Sequence, residues 1–395
     1  MVIHKYANRH NSKAARSSPK QDRLVTQLRQ SISRGRWKPG EQLPTVQQII
    51  ERFQVSSVTA QRAIDQLGRD GFVRTERRQG VFVVDRLPNR HLFALVFPHR
   101  PVAGRLWSLY WRALEQAALE VHEFSGIEFP VFYDIEVNLH DTRDFEDLTR
   151  AVRSDRLAGL IFAHSPHKLA GTPVLDHPGI PRVAFMSEGA LPGVTHVSMR
   201  ETAMMEAMVD HLASHGRRRL ALLLAADSSS AKDELSRVDA FRRIAQSRGL
   251  TLLSRHIQSV HAHSAHWAAN AVEAMVHKDQ RERPDALIIA DDNLAVEAQK
   301  GVIAAGLALP EELQIVSYCN FPCPPSAVLP MTFMGLDARE MLVTCARIIL
   351  QARQGAVAKE SPVLPHRSAD NPACISSLAL ALKDAAAMPP GQNIA

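Results

Sequence analysis

Apolar positions change their spacing repeatedly along this chain. From Asp22, Leu24, Leu28 and Ile32 recur at four-residue steps with Val25 beside them, one face of a helix that Gly35 closes. Thr45 stands as N-cap before a second apolar face made by Val46, Ile49, Ile50 and Phe53. Gln54-Val55 makes a turn, Ser56 caps the next helix, and Ala60, Ala63, Ile64 and Leu67 fall at i, i+3, i+4 and i+7. Gly71 ends that helix. Phe72–Thr75 and Val81–Val84 then read as strands on either side of Arg77-Arg78-Gln79-Gly80. Helix, turn, helix and hairpin in this order predict an α+β winged helix-turn-helix over residues 21–84.

After a short polar linker, 85–90, strand-like and helix-like segments alternate. His91–Phe97, Ile127–Tyr133, Leu157–Ala163, Ile180–Phe185, Arg219–Leu224, Ala286–Ala290 and Leu313–Tyr318 read as strands. Leu106–His122, Thr142–Asp155, Met199–His215, Ser236–Arg248, Asn270–Lys278 and Leu294–Ala305 read as helices. Short apolar runs bounded by helices are the pattern of parallel strands buried on both faces. They predict a doubly wound α/β body, and its length fits two lobes.

Charge sharpens the division. Residues 1–90 carry 18 Lys and Arg against 7 Asp and Glu, a balance of +11, while the remainder carries 29 against 34, a balance of −5. A basic head on a mildly acidic body points to a polyanion partner. Residues 1–20 are polar and basic, with no apolar core, and are expected to be a disordered tail and not a secretory signal. No run approaches the roughly 18 to 20 apolar residues that span a bilayer, so no membrane partner and a cytoplasmic, nucleoid-associated location are expected. Cys319, Cys323, Cys345 and Cys374 are too few for a disulfide framework, and the Cys319 and Cys323 pair reads as buried thiols.

In the head, Ser57, Thr59, Gln61 and Arg62 lie at the N-terminal end of the second helix of the motif, the end that reaches base edges in a major groove. Thr45, Gln47 and Ser56 mark the helix starts, and Arg77, Arg78, Gln79 and Gly80 form a hairpin tip suited to phosphate or minor-groove contact. Residues 22–84 resemble the GntR-type DNA-binding domain through Pro39-Gly40, Leu43-Pro44, Val55-Ser56, Thr59, Ala63, Leu67, Asp70-Gly71 and Gly80. The resemblance implies a double-stranded DNA operator as partner. That family often has Arg where Gln47, Ser57 and Gln61 stand here, so its usual operator sequence does not carry over. Gln still reads adenine by paired hydrogen bonds.

The body resembles the LacI/GalR-type sensor, which has a periplasmic-binding-protein-like fold. The shared features are Ile180-Pro181, the junction His211–Leu220, Arg237-Val238-Asp239-Ala240-Phe241, Asp291-Asp292-Asn293-Leu294-Ala295, Gly306-Leu307, Pro310-Glu311 and Pro330-Met331-Thr332. They cover about residues 91–368 and leave 369–395 as a tail of unassigned role with a helix candidate at 378–387. The resemblance implies a small-molecule effector between the lobes, with a sugar or glycoside first among classes, and a homodimer. It places Arg237, Asp291 and Asp292 in the cleft and Trp267 beside it. Asp292 stands equally as the cap of the helix beginning near Leu294, and Trp267 equally as core. The family's usual acids are replaced near Met186-Ser187 and Cys319-Asn320, which argues against a simple monosaccharide.

Other chemistry is thin. His261, His263 and His266 invite a zinc reading, but an exposed loop fits them better, and no metal or cofactor is expected. No nucleophile elbow, Walker loop or H-E-x-x-H occurs, so catalysis is not expected. The reading that follows is a ligand-responsive DNA-binding transcription regulator, a repressor on the resemblance. A small-molecule sensor with weak or non-specific DNA binding stays open beside it.

Overall fold

The computed structural model describes residues 19–102, 107–136, 142–186, 191–199, 201–226, 231–354, 364–368, 371 and 373–387. Most of the expected basic tail, Ser187 and the Pro-Gly-rich end lie outside the described residues. Pro19 and Lys20, expected in the tail, begin the first helix.

The head consists of α1 (Pro19–Ser33), α2 (Val46–Phe53), α3 (Ser57–Arg69) and a hairpin of β1 (Val73–Glu76) and β2 (Gly80–Val83). The hairpin is antiparallel, pairing Val73 with Val83 and Glu76 with Gly80. Leu28, Ile49, Ala60, Ala63, Leu67, Phe72 and Val83 are fully buried in one core, the residues whose spacing marked the inner faces. Thr45 forms a capping box: its hydroxyl accepts from the Gln48 N–H while the Gln48 side chain accepts from the Thr45 N–H. Gln54 takes a left-handed conformation (φ 49°), which lets α2 turn directly into the Ser56 cap of α3. A buried Arg29–Asp70 ion pair at 2.7 Å ties α1 to the end of α3. Burial nonetheless holds the Asp70 carboxyl above its ordinary pKa, against the pull of Arg29.

Residues 85–90 are not an open linker. Pro88–His91 form a helical turn, α4, with Pro88 and Asn89 buried. The polar Asn89 is tolerated there because its amide donates to Ser33 Oγ at 2.8 Å and to Asp155 at 3.2 Å.

The first lobe is a parallel sheet of β3 (Phe93–Val96), β4 (Val131–Phe132), β5 (Gly159–Phe162), β6 (Arg182–Phe185) and β7 (Thr195–Val197), in the order β4-β3-β5-β6-β7. Its helices are α5 (Leu109–Ser125), α6 (Arg143–Arg153) and the short α7 (Pro173–Asp176). The second lobe runs through α8 (Glu201–Ser214), β8 (Arg219–Ala225), α9 (Ala231–Ser247), β9 (Thr251–Val260), α10 (Trp267–Val276), β10 (Ala286–Ile289), α11 (Ala295–Ala305), β11 (Gln314–Phe321) and β12 (Thr332–Asp337). The chain then returns to the first lobe as α12 (Ala338–Arg353), comes back as the edge strand β13 (Arg367–Ser368), and ends in α13 (Ile375–Ala387). The second sheet has the order β13-β12-β11-β10-β8-β9, parallel except for β13. Two doubly wound lobes joined by several crossings are the architecture expected.

Some elements escaped the hydrophobic pattern. The edge strand β9 alternates exposed and half-buried positions, with few fully buried, so no apolar run announced it. In α12, Met341, Leu342, Val343, Cys345, Ala346, Ile348, Ile349 and Leu350 are all buried, and apolar residues on most faces erase the helical period. The expected strand at 127–133 shrinks to Val131–Phe132, directly after Pro130. The C-terminal segment is not a mere tail, since Leu382 of α13 is fully buried in the first lobe's core.

Candidate nucleic-acid interface and effector cleft

The Ser56 cap orients α3 so that Ser57, Gln61 and Arg62 are exposed on the side opposite Ala60, Ala63 and Leu67. Gln47 is exposed on α2, and Thr45 and Ser56 are engaged as caps. Thr59 is half-buried, with its hydroxyl 2.8 Å from Ser56 Oγ, so it supports the cap. Gln47 donates to Glu51 at 3.0 Å and Gln61 to Asp65 at 2.9 Å. Each amide is thus held one helical turn from a carboxylate, and docking on a base would exchange that bond for one to the base edge.

At the hairpin tip Arg77, Arg78 and Gln79 are exposed. Arg78 is left-handed (φ 65°) and Gly80 has φ 126°, which fits the glycine there. Gln42 donates to the Gln79 carbonyl at 2.7 Å and pins the tip to the loop before α2. Sequence reasoning passed over Val58, which is 57% exposed on the first turn of α3. An exposed β-branched residue outside the core spacing was the available signal, and a thymine methyl is the base feature it suits.

In the second lobe, Asp291 is the residue that caps: it accepts from the Asn293 N–H at 2.8 Å at the start of the 292–294 turn. The capping alternative for Asp292 is therefore corrected. Asp292 is 2% exposed and accepts from both the backbone N–H and the side-chain amide of Asn320, at 2.9 and 2.8 Å. Burial, with Asp291 adding to it, raises its pKa to about 7 despite the Asn320 hydrogen bonds. The Tyr318 hydroxyl donates to Asn320 at 3.1 Å, so Tyr318, Asn320 and Asp292 form one chain between β11 and the turn. Asn320, singled out from the sequence only with Cys319 as the place of a replaced family acid, is thus a participant.

Arg237 lies on α9 and donates to the Ala225 carbonyl at the end of β8, at 3.2 Å. Trp267 is 56% exposed as the first residue of α10, which excludes the core reading for its ring. Met186 and Cys319 are buried within the two lobes, so their side chains offer an effector no accessible surface. Burial in the apolar core also pushes the Cys319 thiol well up.

The first lobe contributes a group that sequence reasoning missed. Phe97, Trp107, Trp111 and Tyr133 cluster, with Trp107 and Trp111 centred 4.7 Å apart and Phe97 stacked on Tyr133 at 5.6 Å. Glu115 binds this cluster together by accepting from Trp107 Nε1 and from the Tyr133 hydroxyl. Two tryptophans four residues apart in a chain with four were the available signal. The Leu109 N–H donates to the Asn293 side chain at 3.0 Å and brings this end of α5 against the second lobe's 292–294 turn. Aromatic rings beside carboxylates and amides are the chemistry that packs on a sugar face and bonds its hydroxyls.

His261 and His263 flank the start of a 3-10 turn before His266, and among the described residues no group of three or more His, Cys, Asp or Glu side chains is arranged to hold a metal. No helix among the described residues is long and apolar enough to cross a membrane. A cavity of about 400 Å3 lies outside the cleft, between α1 of the head and the first lobe.

Comparison with known proteins bears on the fold and the domain order. Residues 20–83 match the bacterial regulatory proteins of the gntR family, and residues 209–368 match the periplasmic binding protein-like domain. An arabinose metabolism transcriptional repressor of Geobacillus stearothermophilus is 24% identical over 353 residues, covering 82% of this chain and 90% of that protein. The HTH-type transcriptional regulator GntR of Pseudomonas aeruginosa is 24% identical over 320 residues, covering 76% and 88%. Among solved structures, a LacI family regulator from Arthrobacter sp. FB24 in complex with lactose superposes with a TM-score of 0.52 at 16% identity, over 70% of this chain and 97% of the other. A LacI family regulator from Lactobacillus casei with bound sucrose gives 0.51 at 21% identity, over 70% and 97%.

Proposed function

From the premise that this chain joins a GntR-type winged helix to a LacI-like, periplasmic-binding-protein-like sensor, we propose that it is a ligand-responsive transcription repressor released by a sugar or glycoside. The observation that carries the reading is the pairing on one chain of an exposed, capped recognition helix with a two-lobed body. Relatives matched across most of their length are named as transcriptional repressors or regulators.

The head spans 21–84 and the sensor 91–368, with 85–90 joining them. Gln47, Ser57, Val58, Gln61 and Arg62 face base edges, and Arg77, Arg78, Gln79 and Gly80 of the hairpin tip follow the phosphates. Two heads in a homodimer bind two half-sites of an operator in the cytoplasm, on the nucleoid. The effector lies between the lobes, with Arg237, Asp291 and Trp267 on one side and Trp107 and Trp111 on the other. Asp292 shapes the site through Asn320. Two aromatic rings favour a glycoside or disaccharide over a single ring; structural neighbours are found with lactose, sucrose and glucose.

Differential binding of the effector to two arrangements of the dimer changes operator affinity. A tenfold change needs a coupling of only about 1.4 kcal/mol. A thermal-shift panel of arabinose, lactose, sucrose and glucose tests the sensor. An effector at 100 times its Kd stabilises it by roughly 2.7 kcal/mol, and Arg237→Ala removes the shift. A panel with no shift beyond that of an inert polyol would contradict the sugar assignment.

A further inference from the structure

The cavity between head and body is built from cations. Arg29 reaches it from α1, Arg34 from the turn just after α1, Arg90 from α4, Arg153 from α6 and Arg353 from α12. The one carboxylate in its lining, Asp155, is already bonded to Arg353 at 2.8 Å and to Asn89 at 3.2 Å. Arg29 is held from behind by Asp70. Among the described residues no carboxylate lies within ion-pair distance of Arg34, Arg90 or Arg153. Arg90 is half-buried and its guanidinium donates to the Ser33 carbonyl at 3.2 Å, a neutral partner. Burial alone moves its pKa, downward.

A second observation is independent of the charge. Three of the residues that line the cavity carry a buried polar atom without a hydrogen-bond partner: Arg29 Nε, Asn89 Oδ1 and His177 Nδ1. Buried polar groups are nearly always partnered, so three at one junction mark it as incompletely satisfied; these atoms are sealed from solvent, and it is the guanidinium groups that meet a guest. Guanidinium forks match the oxygens of a phosphoryl group, and about 400 Å3 is the scale of a small-molecule site. Neither the exposed face of α3 nor the hairpin tip contributes to the lining, so a phosphate of operator DNA is not its guest.

We propose that this cavity is a second ligand site, separate from the cleft between the lobes, that takes a small molecule bearing a phosphate or diphosphate group and fixes the head on the body. Such a guest touches α1 and the first lobe at once. Its occupancy therefore adds to the Ser33–Asn89–Asp155 contacts that already join them.

The test is calorimetric titration of the full chain with inorganic phosphate, pyrophosphate and citrate in separate arms at constant ionic strength, with DNA and sugars absent. Saturable binding of phosphate or pyrophosphate, tighter than that of citrate, is expected. Arg90→Gln and Arg153→Gln each weaken it at least fivefold, while Arg78→Gln on the hairpin tip leaves it unchanged. Arg153 is exposed and lacks the bond that Arg90 makes to Ser33, so its variant reports even if Arg90→Gln fails to fold. Unsaturable heats, citrate binding as tightly, affinity unchanged in Arg153→Gln, or equal loss in Arg78→Gln would each overturn the proposal. None of these outcomes bears on the sugar reading of the cleft.

Discussion

The backbone N–H of Leu109, where α5 begins in the first lobe, donates to the side-chain oxygen of Asn293 in the second, at 3.0 Å. This bond crosses between the lobes near the residues proposed to hold the effector. A single such bond contributes about 1 kcal/mol, roughly fivefold in an open–closed equilibrium. Asn293→Ala should raise the open fraction, read as a larger radius of gyration by small-angle scattering. Asn293→Asp keeps the acceptor but replaces the amide that donates to Asp291 with a third carboxylate beside Asp291 and Asp292, so it should open the lobes as well. Equal radii for all three would show that the bond does not govern closure.

The Asp292 carboxyl makes stability depend on pH. Its folded pKa, about 7, lies above the unfolded value near 3.8. Between those values the folded state binds the extra proton, so stability falls as pH rises. The contribution is complete below about pH 4 and is lost as pH passes 7. Asp292→Asn cannot titrate and keeps an oxygen for the Asn320 donors. Urea midpoints at pH 5 and pH 8 should show the variant gaining on the unsubstituted protein at the higher pH, and parallel curves would refute the assignment.

Gly301 sets the packing of two helices. A β-carbon there would overlap the Ala269 carbonyl of α10. Replacing a helical glycine by alanine favours the helix by about 1 kcal/mol, whereas overpacking a close contact costs typically 1 to 3 kcal/mol. The overlap is with backbone, so the packing term wins. Gly301→Ala should lower the urea midpoint; an unchanged or raised midpoint would mean that α10 and α11 separate freely.

Base reading and phosphate contact separate in the head. Gln61→Ala should cost about 1 to 3 kcal/mol on a preferred site and little on random DNA. Arg78→Gln should weaken both alike and reduce the slope of log affinity against log salt by about 1. These effects are read by fluorescence anisotropy at two salt concentrations. An exchange of the two phenotypes would reverse the assigned roles of α3 and the hairpin tip.

The head was legible residue by residue, because caps at Thr45 and Ser56 and core spacing through Ala60, Ala63 and Leu67 are local signals. The alternation of the lobes was legible too, while β9 and α12 were not: one is a mostly polar edge and the other is buried on nearly every face. Contact residues were harder. Asp291 and Asp292 are neighbours in sequence, yet one caps a turn and the other is buried against Asn320, a difference set by a strand 28 residues on. The four-residue spacing of Trp107 and Trp111 was a local hint, but Tyr133 joins them, and the arginine-lined cavity forms, only when distant segments meet.

The central claim is that a sugar-type effector in the body controls sequence-specific DNA binding by the head. Its most direct test is selection of preferred sites from a random DNA pool by the full chain. Anisotropy on the selected site at physiological salt follows, with and without the sugar that stabilises the sensor most. The account predicts saturable binding that scrambled DNA does not match and that the sugar weakens at least tenfold. Binding indifferent to DNA sequence, or to the sugar at saturation, would contradict it.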